Sequence, residues 1–385
     1  MAKYSRSFQA PKQSFFLFGP RGTGKSTWLV QNLKNALYLN LLKSSDYLPL
    51  MKNPSLLRDQ VLGSESHWIV IDEIQKIPQL LDEVHQILFE FENKYKFALT
   101  GSSARKLKKE NANMLAGRAR YREFFTLTSL ELNFDFQIED ILKYGTLPSV
   151  RNLPKIVDKI DYLDSYVTTY LREEIAQEAL TRNLESFVRF LEVAALMNAQ
   201  TLNISNISRD VGVARTTVDS YFSILVDTLI CSKVSGFRLK SKVKETVQAK
   251  LYFFDCGIAQ AMSGQLRENL SSHQRGFLFE TFILNEIKAY NSYSMKGGTI
   301  SYWSTPNENE VDFIFRDGSK FTGIEVKSSE NWSDKWNLGL QTLLDSKKIQ
   351  KAYGIYCGTR PLKKDAIHIL PVIEFCKRLW RGELF

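Results

Sequence analysis

The sequence predicts an α/β protein of several domains, whose amino-terminal part is built on a mostly parallel β-sheet. Strand-like and helix-like segments alternate over roughly the first 130 residues, which places helices on both faces of such a sheet. A glycine-rich loop joins the first apolar strand to the first helix. At 385 residues the chain is too long for one ordinary core, so further domains are expected after the sheet.

The predicted elements follow one another in a regular order. Apolar segments at 15–18, 36–41, 68–71 and 96–100 predict strands, and helices are predicted at about 26–33 and over the apolar repeat 80–91. From about 153 to 230 the pattern is helical, and afterwards strands and helices mix. We therefore predict four segments: a sheet core at 1–133, a helical lid or linker at 134–184, a winged helix-turn-helix at 185–250 and an α/β domain at 251–385.

Composition narrows the class of protein. A hydrophobic fraction of 44% and a charged fraction of 24% are typical of a soluble globular protein. No apolar run is long enough for a bilayer span, the start does not resemble a secretory signal, and the four cysteines lie far apart. We therefore expect a cytoplasmic protein without a membrane partner. The net charge of +9 favours a polyanionic partner such as DNA.

The glycine-rich loop predicts a nucleotide site. Its pattern is G-x-x-x-x-G-K-[ST], and it lies between a strand and a helix as that motif requires. Backbone N–H groups of such a loop bind phosphate, Lys25 would reach the β- and γ-phosphates, and the Ser26 hydroxyl would bind Mg²⁺. The loop residues predicted to contact the nucleotide are Gly19, Pro20, Arg21, Gly22, Thr23, Gly24, Lys25, Ser26 and Thr27.

Two acids follow the buried strand at 68–71. Asp72 would lie at the carboxyl edge of the sheet, where it can hold Mg²⁺ through water. Glu73 can orient and deprotonate an attacking water, which favours hydrolysis of the nucleotide over phosphotransfer to a small molecule. Together the loop and the acidic pair predict an enzyme that hydrolyses a nucleoside triphosphate with Mg²⁺ as a cofactor.

With these motifs the segment resembles a AAA+ ATPase. The resemblance implies ATP in preference to GTP, and a polar residue that senses the γ-phosphate, for which Thr100, Ser102 and Ser103 are all candidates. It also implies an arginine that completes the site of a neighbouring subunit, with Arg118 first and Arg120 second. The protein would then work as a ring or helical homo-oligomer.

A helix-turn-helix is predicted around Gly212, which supplies the turn. The outward face of its second helix would carry Arg215, Thr216, Asp219 and Ser220. After it, basic residues recur at period two, so on a strand they would lie on one side and contact phosphates as the wing of a winged helix. These basic residues are Arg238, Lys240, Lys242 and Lys244. A solvated sheet edge or a subunit contact would show the same pattern.

Two carboxylates and a lysine mark a carboxyl-terminal hairpin that turns at Asp317-Gly318. Any even register places Asp312, Glu325 and Lys327 on one face of the sheet, either with Asp312 opposite Glu325 or as its diagonal neighbour. Such a set suits a Mg²⁺ site, with Asp312 and Glu325 as ligands, that activates water against a phosphodiester. An amphipathic helix upstream can bring Glu280 towards the same face, and Gln341 is a further candidate.

These features resemble the PD-(D/E)XK nuclease superfamily, except that Val311 stands before the aspartate where proline is usual. The resemblance implies a nuclease-like α/β fold, with an active nuclease and an inactive scaffold as alternatives. Taken whole, the chain resembles a prokaryotic AAA+ family that joins an ATPase core to a winged helix and this nuclease-like domain, of the DUF4143 type.

Three hypotheses for function follow. The first is an oligomeric ATPase that binds DNA and remodels it or moves along it. The alternative is a nucleotide-driven switch that binds protein partners and uses the nuclease-like domain as a scaffold. The third is a nuclease of a defence or recombination system in which ATP controls cutting.

Overall fold

A computed structural model describes residues 4–92, 94–103, 115–175, 184–237, 248–305 and 309–385. The chain divides into two compact units. The N-terminal unit consists of Phe8–Thr126 and Ser223–Ile230, and the C-terminal unit consists of the described parts of Met1–Ser7, Leu127–Phe222 and Cys231–Phe385. The division into four segments stays a prediction.

The N-terminal unit contains the predicted parallel sheet, which is confirmed. Its strands are β1 (Phe15–Phe18), β2 (Leu37–Asn40), β3 (Trp68–Asp72), β4 (Lys96–Gly101) and β5 (Arg120–Glu123). All are parallel, in the order β2-β3-β4-β1-β5. The order brings the carboxyl ends of β1 and β3 to one edge, with β4 between them. Strand β5 was not predicted, because its sequence Arg-Tyr-Arg-Glu has none of the apolar content that marks the others.

Four helices cover this sheet: α1 (Lys25–Asn32), α2 (Ser44–Lys52), α3 (Leu56–Leu62) and α4 (Leu80–Glu90). Short 3-10 turns lie at Ile74–Lys76 and Leu115–Gly117. The apolar repeat of α4 packs Leu80, Val84 and Ile87 into a core formed with strand residues such as Ile69 and Leu99. Burial of the nineteen described side chains of this core, at roughly 1.5–3 kcal/mol each, makes it the main source of the unit's stability.

The C-terminal unit begins with helices. These are α5 (Ile138–Tyr144), α6 (Pro148–Arg151), α7 (Ile156–Ser165), a π-helical segment (Tyr166–Ile175), α8 (Leu184–Leu196), α9 (Ile204–Val211), α10 (Arg215–Asp227), α11 (Cys256–Met262), α12 (Ser272–Tyr293), a 3-10 turn (Asp334–Asn337), α13 (Leu338–Asp345) and α14 (Val372–Trp380). The last residues of α10 belong to the N-terminal unit. Within the described part of the chain, no helix combines the length and the apolar character needed to cross a bilayer.

An eight-stranded mixed sheet forms the other part of this unit. Its strands are β6 (Cys231–Gly236), β7 (Lys250–Phe253), β8 (Thr299–Ser304), β9 (Glu310–Asp317), β10 (Lys320–Lys327), β11 (Lys351–Tyr356), β12 (Leu362–Lys364) and β13 (Ile367–Pro371), in the order β12-β13-β11-β10-β9-β8-β6-β7. Strand β6 pairs with β7 and also, in parallel, with β8. The predicted boundary at residue 250 therefore lies inside a sheet, and β6 and β7 extend it.

A buried carboxylate links three distant parts of the C-terminal unit. Glu286 of α12 accepts hydrogen bonds from the Ser129 backbone N–H at 2.7 Å, from the Ser129 hydroxyl at 2.6 Å and from the Trp380 indole N–H at 2.8 Å. Burial raises the pKa of Glu286 to about 7, although these hydrogen bonds favour the charged form and oppose the shift. The carboxylate thus holds the start of this unit and its last helix on α12.

A second buried carboxylate caps α11. Asp255 accepts from the Ile258 N–H at 3.1 Å through Oδ1 and from the Thr146 N–H at 2.7 Å through Oδ2. Gly145 has a φ of +72°, and a Cβ there would lie 1.9 Å from the carboxylate, so this approach requires glycine. One side chain therefore satisfies two buried backbone donors in separate segments.

Replacing Asp255 by Ala is expected to lower the free energy of unfolding of the C-terminal unit by about 2–4 kcal/mol. The change removes a helix cap and leaves two buried N–H groups without acceptors. Urea denaturation followed by tryptophan fluorescence measures the effect. Ser271→Ala, which removes the exposed cap of α12, is the matched control and should cost only about 1 kcal/mol. Equal costs for the two variants would contradict this role of Asp255.

Candidate nucleotide site and carboxylate–lysine cluster

The glycine-rich loop leaves β1 and leads into α1 as predicted. Gly22 and Gly24 have left-handed φ values of 79° and 94°, which curl the loop over the first turn of α1. The Thr23 hydroxyl donates to the Pro20 carbonyl at 2.8 Å and stabilises the curl from inside. A Cβ on Gly19 would lie 2.3 Å from the Phe124 carbonyl, so the loop passes close against the chain after β5. Ser26 and Thr27 are exposed at the start of α1.

Lys25 is buried inside the loop. Its Nζ donates to the Gly19 carbonyl at 2.5 Å and to the Pro20 carbonyl at 3.0 Å. Burial lowers the pKa of Lys25 to about 8, although Glu73 and Asp72 nearby oppose the shift. The ammonium group therefore lies where a phosphate would take over its interactions, with both acids close enough to act on its charge.

Asp72 ends β3 and is almost fully buried. Its Oδ2 accepts from the Tyr38 hydroxyl at 2.6 Å, and its Oδ1 accepts from the Thr100 hydroxyl. The Ser26 side chain also hydrogen-bonds the Tyr38 phenol, whose pKa is raised by burial and by Asp72. Tyr38 of β2 thus bridges Ser26 and Asp72, the two residues predicted to hold Mg²⁺.

Glu73 follows in a left-handed conformation with a φ of 64°. For a residue other than glycine this conformation is strained, at a cost of order 1–3 kcal/mol. The surroundings hold it there, because the Glu73 N–H donates to the Thr100 hydroxyl at 3.2 Å. Its carboxylate Oε2 accepts from the amide of Gln75, which lies in the turn Ile74–Lys76. Glu73 is therefore contacted at both ends, at its backbone N–H by Thr100 and at its carboxylate by Gln75.

The three candidate sensors of γ-phosphate at the end of β4 have different partners. Thr100 is fully buried between Asp72 and Glu73. Ser102 accepts from the Gln75 amide at 3.2 Å. Ser103 donates to the Asp227 carbonyl at 3.2 Å. Thr100 and Ser102 therefore contact the acidic pair or its support, whereas the bond of Ser103 is made elsewhere in the unit.

Arg118 lies at the opposite edge of the parallel sheet. Its guanidinium hydrogen-bonds His85 Nε2 at 2.6 Å and lies 5.6 Å from the centre of the Phe89 ring. A cavity of about 490 Å³ beside it is also lined by Ser14 and Lys96, which precede or begin β1 and β4. Because the glycine-rich loop follows β1, Arg118 is at the amino edge and not at this chain's own loop. Arg120 lies on β5 and bonds Gln13 at 3.2 Å.

The helix-turn-helix is formed by α9 and α10. Gly212 has a φ of 73° and closes α9, and the Asn203 side chain caps its start. The four residues predicted for the outward face are all exposed: Arg215, Thr216, Asp219 and Ser220. The basic residues predicted for the wing, at 238, 240, 242 and 244, lie outside the described residues.

The carboxyl-terminal hairpin β9–β10 has the even register that was predicted. Asp317 pairs with Lys320 and Phe313 with Ile324, which puts Asp312 opposite Glu325. Lys327 Nζ lies 2.5 Å from Glu325 Oε1 and 3.7 Å from Asp312 Oδ2. The Val326 N–H donates to Asp312 Oδ2 at 2.7 Å. The structure therefore brings these three predicted side chains together.

Glu280 of α12 joins the same group through Lys250. Lys250 Nζ lies 3.7 Å from Glu280 Oε2 and is also paired with Glu310. The Tyr252 hydroxyl donates to Glu280 at 3.1 Å. We call Lys250, Glu280, Glu310, Asp312, Glu325 and Lys327 the carboxylate–lysine cluster. Gln341 instead donates to Asp345 on its own helix at 2.7 Å.

The cluster is largely buried, and its charges act on one another. Exposed fractions are 6% for Lys250, 9% for Glu280, 3% for Asp312 and 5% for Glu325. Burial and the charge of Asp312 raise the pKa of Glu280 to about 8 and that of Glu325 well above its usual range. The carboxylates raise the pKa of both lysines despite burial. The lysines are therefore charged and neutralise much of the acidity.

The metal prediction for this cluster can be tested against its donors. Glu325 Oε2 is buried without a hydrogen-bond partner among the described residues, as expected of an oxygen that lacks its ligand. Yet nowhere in the described ranges do three or more His, Cys, Asp and Glu side chains form a group able to hold a metal ion. Asp312 and Glu325 thus offer two ligands, with Lys327 beside them.

Sequence reasoning missed the roles of Lys250, Gln75 and Tyr38. Lys250 was not predicted as a site residue, yet it is buried on β7 between acids. Gln75 follows the acidic pair at a spacing of two, and Tyr38 lies on the strand next to Asp72. The signal available for both residues was their closeness to a predicted acid, in the sequence for Gln75 and in the sheet for Tyr38.

The fold and the loop define a nucleotide-binding domain of the AAA type. A family model described as AAA domain matches residues 11–133, and one described as domain of unknown function DUF4143 matches residues 275–375. These two matches confirm the predicted resemblance to a AAA-type protein that carries a DUF4143-type segment near its carboxyl terminus. A third model, domain of unknown function DUF8612, matches residues 135–269.

Similar proteins occur in mycobacteria. Uncharacterized proteins of Mycobacterium bovis and Mycobacterium tuberculosis are each 23% identical over 269 residues, which is 69% of this chain. The match spans 60% of the length of those relatives. Among solved structures, the replication initiator DnaA bound to AMPPCP and single-stranded DNA matches with 11% identity and a TM-score of 0.29, over 56% of this chain and 82% of that chain.

Proposed function

We propose that this protein is an oligomeric ATPase that uses ATP hydrolysis to remodel DNA or to move along it. The observation that carries the proposal is the meeting of the loop with Asp72 and Glu73 at one edge of the parallel sheet. Lys25, Asp72 and Glu73 are close enough there for both acids to shift the lysine pKa. A P-loop lysine, an acid suited to Mg²⁺ and an adjacent base are the parts that ATP hydrolysis requires.

Mg²⁺ fits the nucleotide site. The Ser26 hydroxyl is exposed at the start of α1, and Asp72 presents a carboxylate to the same Tyr38 hydroxyl that Ser26 bonds. Hydroxyl and carboxylate oxygens are the ligands that Mg²⁺ prefers. Ser26 and Asp72 would hold it, and its charge would offset that of the phosphates.

The other residues have distinct tasks in this proposal. Lys25 leaves the two loop carbonyls and binds phosphate oxygens through its ammonium group. The Glu73 carboxylate orients the attacking water and accepts its proton. Arg118, at the amino edge of the sheet, completes the site of a neighbouring subunit, which requires the homo-oligomer. Thr100 supports both acids from the next strand.

DNA is the proposed polymer on chemical grounds. The chain has a net charge of +9, and α10 presents an exposed polar face with Arg215. Helix-turn-helix faces and basic side chains contact phosphates and base edges. Binding of this kind releases counterions and therefore weakens steeply as salt is raised.

ATP turnover in the presence of different nucleic acids tests the proposal. Purified protein with Mg²⁺ is assayed alone and with single strands, duplex DNA and a four-way junction, at low and high salt. We expect several-fold stimulation by at least one form at low salt, which fades as salt is raised because the contacts are ionic. No stimulation by any form, with intact basal turnover, would contradict DNA as the partner.

A second candidate function is a nucleotide-driven switch that binds a protein, with the C-terminal unit as scaffold. The ion pairing of Lys250 favours it, since this lysine offsets the charge of Glu310 and Glu280, two acids of the cluster that would otherwise attract a cation. Scoring the same DNA samples for cleavage separates the alternatives. Cutting that Asp312→Ala or Glu325→Ala abolishes, with ATP turnover unchanged, would favour a nuclease. Turnover indifferent to DNA and no cutting would favour the switch.

A further inference from the structure

Gln75 connects the proposed catalytic base to the end of the neighbouring strand. It lies in the 3-10 turn Ile74–Lys76 directly after Glu73, and its side chain is buried, with 8% exposed. Its amide nitrogen donates both to the Glu73 carboxylate and to the Ser102 hydroxyl, the latter at 3.2 Å. One amide group thus joins two side chains that come from different strands of the sheet.

The packing leaves this amide little freedom. A Cβ on Gly101 would lie 2.4 Å from Gln75 Oε1, so the glycine makes the room that the side chain occupies. Gln75 Oε1 is buried and has no hydrogen-bond partner in the described part of the chain. An unpaired buried carbonyl costs about 1–3 kcal/mol, which a residue selected only for packing would avoid. The cost is understandable if the amide nitrogen has a role that an apolar side chain cannot fill.

Glu73 needs such support because its backbone alone does not fix the carboxylate. Its left-handed φ of 64° fixes the backbone, but the side chain still has three rotatable bonds. A general base must lie within hydrogen-bond reach of the water that it deprotonates. A displacement of about 1 Å can cost a factor of about 100 in rate. A donor bonded to one carboxylate oxygen restricts these rotations and leaves the other oxygen for water.

We propose that Gln75 is a positioning residue for hydrolysis, which holds the Glu73 carboxylate in place and ties it to Ser102 at the end of β4. The inference rests on the proposed ATPase function and adds a residue to it. Ser102 is one of the candidate sensors of γ-phosphate. In this arrangement a movement of Ser102 is passed on to the Glu73 carboxylate through the Gln75 amide. The Thr100 hydroxyl accepts a hydrogen bond from the backbone N–H of Glu73, and the Gln75 amide donates one to the Glu73 carboxylate.

Gln75→Met tests this role, because methionine keeps the length of the side chain and removes the donor. We expect kcat for ATP to fall by about tenfold or more, with the affinity for a fluorescent ADP analogue within about twofold of wild type. Gln79→Met is the matched control: the same substitution at an exposed position four residues away, where the side chain caps nothing. Its kcat should equal that of wild type.

Ser102→Ala provides an independent variant that removes only the far end of the connection. Its kcat should fall less than that of Gln75→Met, and the double variant should be no slower than Gln75→Met alone, because both changes act through one amide. Equal or faster turnover in Gln75→Met overturns the proposal. So does a loss of nucleotide affinity as large as the loss of kcat, which would mark Gln75 as a structural residue. A wild type without Glu73-dependent turnover would overturn the ATPase function itself, and with it this role.

Discussion

Replacing Glu73 by Gln is expected to lower ATP turnover at least about 100-fold and to leave nucleotide affinity within about threefold of wild type. An amide of the same shape can still be held by the turn, but it cannot take a proton from water. The residues proposed to bind phosphate lie in the loop at 19–27 and are unchanged. Phosphate release in the presence of Mg²⁺ gives the rate, and titration with a fluorescent ATP analogue gives the affinity.

The control for this substitution is Glu65→Gln, which makes the same change at an exposed position shortly before β3. It should leave both rate and affinity unchanged. If Glu73→Gln hydrolysed ATP at the wild-type rate, another group would have to be the base. If it lost affinity and rate together, Glu73 would support the binding site and not the chemical step.

The largest expected change in stability comes from Lys250→Met, which should lower the free energy of unfolding of the C-terminal unit by about 3–5 kcal/mol near pH 7.5. The lysine pairs with Glu310, lies 3.7 Å from Glu280 and also interacts with the charge of Asp312, so its removal leaves the negative charge of the cluster with less compensation. Denaturation by urea, followed by tryptophan fluorescence, measures the loss. Lys364→Met removes an exposed pair with Asp334 and should cost less than about 1 kcal/mol.

The cost of Lys250→Met should also depend on pH. The pKa of Glu280 is raised from 4.5 to about 8 in the folded protein, so the folded state holds a proton that the unfolded chain has released. The contribution of Glu280 to the free energy of unfolding therefore falls as pH rises from about 4.5 to 8. Without Lys250 the carboxylate is harder still to ionise, so in the variant the fall continues above pH 8, and the cost of Lys250→Met should be smaller at pH 7 than at pH 9. A cost independent of pH would mean that Lys250 acts through packing.

Local patterns made much of this structure predictable. An even loop fixed the parity of β9 and β10, so Asp312 and Glu325 were expected on one face of the sheet. That they lie directly opposite follows from the two-residue turn at Gly318–Ser319, one position later than the predicted turn at Asp317-Gly318. The loop at Gly19–Thr27 and the acids after β3 were readable for the same reason, since each motif is contiguous. Their arrangement at one sheet edge follows from parallel strands alone.

What escaped prediction depends on pairing between distant segments. Lys250 reaches Glu310 across 60 positions because β6 pairs with both β7 and β8, and no motif around Lys250 indicated this pairing. Strand β5 is held by pairing with β1 and not by its own apolar content. No sequence pattern indicated a role for Gln75, because glutamine is common in turns. Only the structure shows that its amide contacts Glu73 and Ser102.

The hydrogen bonds of the Glu286 carboxylate limit how the gene for such a protein can be divided and recombined. Its donors come from Ser129, near the end of the segment that matches the AAA domain, and from Trp380, beyond the segment that matches DUF4143. A gene fusion that joined the DUF4143 segment to another partner would leave that carboxylate without its serine. The heritable module therefore extends past the boundaries of the matched segments, and recombination that respects only those boundaries should yield chains with an unsatisfied buried acid.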